Sequence, residues 1–208
     1  LALLPTVAVA ARQTIALLLR NRLLWLLFAA QLLLGGLAFG LGGVTRERLD
    51  GRELYCVLAW WFEAGVVLPW ATLYLAVQAV HGDIEDRTFQ YLFLRPVGRH
   101  GLLLGKWLAV VVLAAVLVLA GGTTLYLGIA ARPGIWTDGV DPGLWRAFAV
   151  LSCLGAVAYA AIGVWFAATF RRPLVWAALF AVAQMVVALM PVSAGVRWLT
   201  VADPLRRF

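Results

Sequence analysis

One acid, Glu63, stands well inside a long apolar run, and a dense polar stretch from Gly82 to His100 divides that run from the next. An ionisable side chain at membrane depth costs a few kcal/mol unless it is paired or hydrated. Glu63 therefore either faces a cavity or a subunit interface, or reaches the outer surface about two turns away along its apolar stem. Gln31 and Gln184 are milder versions of the same case and suit hydrogen bonds between helices better than substrate contacts.

Other chemistry is excluded by spacing. Gly101-Leu102-Leu103-Leu104-Gly105-Lys106-Trp107 looks superficially like a phosphate-binding loop. It has three residues between the glycines where four are needed, and Trp107 where Ser or Thr must reach magnesium, so this chain does not itself bind ATP. No His-Glu-x-x-His, no Gly-x-Ser-x-Gly and no paired intramembrane carboxylates occur, which leaves no catalytic residue to name. Cys56 and Cys153 lack metal-ligand spacing and form no disulfide framework, so no metal site is expected.

The elements that must position these residues are membrane spans. Of 208 residues 64% are hydrophobic and 13% charged, against roughly 45–50% apolar in a soluble domain, and mean hydropathy is +0.93. The net charge of +7 resides mostly on Arg beside the apolar runs, which points to lipid headgroups and away from nucleic acid. Five runs reach or approach the ~20 residues of a crossing helix: 23–43, 55–80, 102–130, 147–169 and 174–191. The fold class is an all-α polytopic membrane protein forming one transmembrane domain over 1–208.

Residues 5–22 read as an interfacial helix, with Thr6, Arg12, Gln13 and Arg20 on one arc and apolar residues elsewhere. Pro5 suits its start. The first apolar stretch carries no secretory cleavage pattern and is read as mature protein. Leu1 at the start and Phe208 at the end lead us to expect a chain trimmed at both ends. Connections are expected over Thr45–Leu54, the polar stretch, Ala131–Arg146 and Phe170–Pro173. Lys and Arg divide almost evenly between the two sides of this topology and leave its orientation open. Gly36-x-x-x-Gly40 and Gly101-x-x-x-Gly105 offer close helix approach, Pro69 a kink, and Gly121-Gly122 a loosened third span. Most Trp residues fall near span ends, as interfacial anchors do.

Within the polar stretch, Thr88 suits an N-cap, Asp83, Glu85 and Asp86 favour a positive helix start, and Arg95 lies near the end where Pro96 stops the helix. Phe89, Tyr91, Leu92 and Phe93 would need cover from a partner groove or from headgroups.

The order Glu85, Thr88, Leu92, Pro96, Arg99, Gly105, Lys106 resembles the permease subunits of the type-2 ABC exporter family. The sequence-specific part of the resemblance covers about 25 residues, and the layout of elbow helix, spans and coupling helix most of the chain. It implies that 82–100 is a cytosolic coupling segment docking on a separate ATP-binding subunit through Glu85, Asp86, Arg87, Thr88, Phe89, Tyr91, Leu92, Arg95, Pro96 and Arg99. Two such subunits, holding ATP and magnesium, would pair with two permease copies in the cell membrane, with the N-terminus cytoplasmic and no cofactor in this chain. Two departures stand out. Arg87 replaces the family's usual Gly before the Thr, and five spans are present where the family has six, so 192–208 is expected to be the outer segment before a sixth. The alternatives are a secondary transporter or channel, or a membrane scaffold that moves an extracytoplasmic accessory protein. The substrate is not legible.

Overall fold

The computed structural model describes residues 3–44, 50–85, 99–131 and 140–189. All regular structure among them is helical: α1 (Leu3–Leu19), α2 (Arg22–Val44), α3 (Gly51–Cys56), a π-helix (Val57–Val67), α4 (Leu68–Glu85), α5 (Arg99–Ala130), α6 (Pro142–Thr169) and α7 (Pro173–Leu189). Four stretches are long and apolar enough to cross a membrane: Arg22–Gly40, Gly51–Gly82, His100–Ala130 and Pro142–Thr169. The fifth expected span is α7, whose 17 residues reach about 26 Å, a little short of a ~30 Å hydrocarbon core.

Two helices start earlier than the apolar runs, because aspartates in the expected connections are caps. Asp50 accepts from the amides of Arg52 (2.8 Å) and Glu53 (3.3 Å), so the second span begins at Gly51. Asp141 accepts from Gly143 N at 3.2 Å and Pro142 takes the first helical position, where its missing N–H costs nothing. Asp141-Pro142-Gly143 is thus a helix start and not part of the expected Ala131–Arg146 connection.

A third difference lies at the other end of the second span. α4 runs through Glu85, which places Asp83 and Glu85 in its C-terminal turn. They therefore close this helix, where the sequence alone set them at the start of the next.

α5 is the axis of the bundle, packed along α1, α2, α4 and α6, and α4 is wedged between α5, α6 and α7. α1 buries Ala10, Ala11, Thr14 and Leu18 against α5 and leaves Arg12 and Gln13, with Arg20 just past its end, exposed, as an amphipathic helix lying on a bundle must. Over residues 22–40 α2 buries a narrow seam, Leu24, Gln31, Gly35 and Ala38, spaced seven, four and three residues apart. The close approach on α2 is made by Gly35 and not by Gly36 or Gly40, which are exposed with nothing near them. A side chain at Gly35 would meet Thr124 Cβ at 2.6 Å.

The second span carries the irregularity that Pro69 announced. A proline ring clashes with the carbonyl four residues back and supplies no N–H. The chain meets this with a π-helix just before it, in which Leu68 N–H bonds Glu63 O, five residues back. Buried positions run Gly51, Tyr55, Ala59, Glu63, then Leu68, Thr72, Ala76 and Val80. The single step of five between Glu63 and Leu68 keeps one face inward on both sides of the proline.

Candidate functional site

Two polar places are built into this apolar bundle. The first lies at the root of the polar stretch, where α4 ends and α5 begins. Gly105 lets α1 cross directly on α5: a side chain there would meet Ala10 Cβ and Val7 O at 2.7 Å and Ala11 N at 3.1 Å. One residue on, Lys106 is 4% exposed and its Nζ donates to Ala79 O at 2.6 Å, fastening α5 to α4. Asn21, in the break between α1 and α2, donates from Nδ2 to Tyr74 Oη at 2.9 Å and caps α2 by accepting from Leu23 N at 3.0 Å. Arg20, Asn21, Thr14, Gln78 and Gly82 help line a cleft of about 260 Å³ beside this junction. α1, α4 and α5 are therefore tied together within a few residues of both ends of the 82–100 stretch.

The second place is at mid-span. Gln31 of α2 donates from Nε2 to Glu63 Oε2 at 2.9 Å, and Glu63 has no exposed surface. Room for the pair comes from Gly121 of α5, where a side chain would meet Glu63 Oε1 at 2.5 Å and Gln31 Oε1 at 2.6 Å. Thr124, one turn on, donates to Gly121 O at 2.8 Å and lies 3.5 Å from Gln31 O. Gly122 likewise admits the Phe148 ring, which meets Tyr55 and Trp60 edge to face at 6.4 and 6.2 Å. Gly121-Gly122 thus does not loosen the third span: α5 is continuous from Arg99 to Ala130, and the two glycines are sockets.

Of the expected coupling residues, Asp86, Arg87, Thr88, Phe89, Tyr91, Leu92, Arg95 and Pro96 lie outside the described residues, while Glu85 closes α4 and Arg99 opens α5. Gly105 and Lys106 meet α1 and α4. Glu63 and Gln31, considered separately in the sequence, are brought together, and Glu63 faces neither lipid nor the outer surface but its own chain. Gln184 is half-buried on α7, with Oε1 unpartnered among the described residues. Sequence reasoning missed Asn21, Tyr74, Thr124 and Gly35. Asn21 was findable, since an Asn between two helical runs is a cap signal.

The described residues hold no cluster of three or more His, Cys, Asp or Glu that could take a metal ion. A helical bundle with four candidate spans among the described residues and an amphipathic N-terminal helix lying on it defines a polytopic membrane protein. The model of the ABC-2 family transporter protein matches residues 18–187, and the chain belongs to that family. No curated individual protein matches it. It is accordingly a membrane component of an ABC transporter.

Proposed function

We propose that the chain is a permease subunit that converts ATP hydrolysis in a separate ATP-binding subunit into export of a substrate, with the 82–100 segment as the docking surface. The observation that carries this reading is the junction of α1, α4 and α5 through Gly105 and Lys106. A push on a connection rooted there reaches three helices at once. Membership of the ABC-2 family supplies the class of partner. Two ATP-binding subunits holding ATP and magnesium, a second permease copy and a cytoplasmic N-terminus complete the proposal, in the cell membrane.

Cysteines at Phe89 and Tyr91 test it by crosslinking to the co-purified ATP-binding subunit in an ATP-hydrolysing complex. Adducts at either position support the reading, and their absence in an active complex overturns it.

A further inference from the structure

The mid-span pair has an incomplete hydrogen-bond inventory. Gln31 Nε2 serves Glu63 Oε2, but Glu63 Oε1 and Gln31 Oε1 have no hydrogen-bond partner among the described residues, and both lie within 2.6 Å of one point above Gly121. Two buried acceptor oxygens turned to the same point of a dry site, each without a donor, are costly unless a hydrogen lies between them. Turning the Gln31 amide over does not help, because its oxygen would then face Oε2. A carboxylic acid does supply the missing donor: its O–H donates and its C=O accepts, complementing the carbonyl and NH₂ of a carboxamide in a ring of two hydrogen bonds.

No neighbouring charge does the same work. On the span that carries Glu63 the titratable side chains are Tyr55, whose hydroxyl is buried, Cys56, Tyr74, whose hydroxyl accepts from Asn21, and the remote Glu53, His81, Asp83 and Glu85; Arg52 is exposed near the span's start. α5 offers Tyr126, Lys106, about 22 Å from Gly121 along the helix and already bonded to Ala79 O, and, further off at its start, Arg99 and His100. Arg22 of α2 lies about 13 Å from Gln31, Arg146 of α6 is exposed, and α7 has no charged residue.

We propose that Glu63 and Gln31 form a proton-binding site inside the membrane, with Glu63 donating from Oε1 to the Gln31 carbonyl oxygen while it accepts from the Gln31 amide. Assembling the site takes one proton from solution onto the Glu63 carboxylate, and opening it returns that proton. Loss of the proton leaves an anion against the Gly121 methylene with one hydrogen bond, so α2 must leave the seam for water to enter. The site thereby links proton occupancy to the fit of α2 against the π-helix and α5.

Infrared difference spectra of the full chain in lipid bilayers test this. Subtracting Glu63→Gln from the wild type is expected to isolate one carboxylic-acid C=O band, shifted in Gln31→Ala. Glu63→Gln can form the same two-bond ring as an amide pair and is expected to melt with the wild type, whereas Glu63→Ala melts lower. Absence of the acid band, as an ionised Glu63 holding a cation or a water would give, overturns the proposal. So does a band unmoved by Gln31→Ala. If Glu63→Gln does not fold, Glu63→Asp provides the subtraction, since it displaces the same band.

Discussion

Gly105 and Gly121 sit on one helix, sixteen residues apart, and both exist to make room, yet what fills the room differs. At Gly105 the intruder is backbone: Val7 O and Ala11 N of α1 stand where a side chain would go. At Gly121 it is the tips of two side chains, Glu63 and Gln31. Backbone of a packed helix cannot give way without moving the helix, whereas side-chain ends can turn. The first contact fixes where an element lies, and the second sets how two elements bond.

That difference ranks the expected effects. Gly105→Val is the harshest test: overpacking against backbone costs about 3 kcal/mol and should lift α1 from α5. Trypsin cleavage after Arg12 and Arg20 in detergent-solubilised protein is expected to accelerate strongly. A cleavage rate equal to wild type would break the comparison.

Lys106→Met, which keeps the length and removes the charged donor to Ala79 O, is expected to cost about 2 kcal/mol, read as a lower melting temperature. Gly121→Ala comes next, at about 1–2 kcal/mol, because Glu63 and Gln31 can turn aside; the infrared band of the pair should shift while α1 keeps its protection. Asn21→Ala loses the bond to Tyr74 and the cap of α2, for about 1 kcal/mol. Gly36→Ala is the control: the position is exposed with nothing within 4 Å, so the monomer's melting temperature should hold or rise slightly through helix propensity, and a fall would show that α2 packs differently from the seam described here.

Much of this was readable beforehand. The apolar runs locate the spans to within about five residues, and Glu63, Gln31, Gly105 and Lys106 all stand out as polar or small residues in the wrong solvent. Two caps, Asp50 and Asp141, were legible by type but were read as loop, since aspartate beside proline or glycine serves turns and helix starts alike.

What the sequence by itself determined is the set of helices, because a bilayer demands about twenty apolar residues per crossing and satisfied backbone throughout. Only the tertiary structure decided which faces meet: Gly35 in place of Gly36, Gln31 with Glu63 across 32 positions, and the step of five residues that carries the inward face past Pro69. The reason is physical. In water an apolar stripe marks the buried side of a helix, but lipid is as apolar as a protein core, so the side chains facing out and those facing in are written with the same residues.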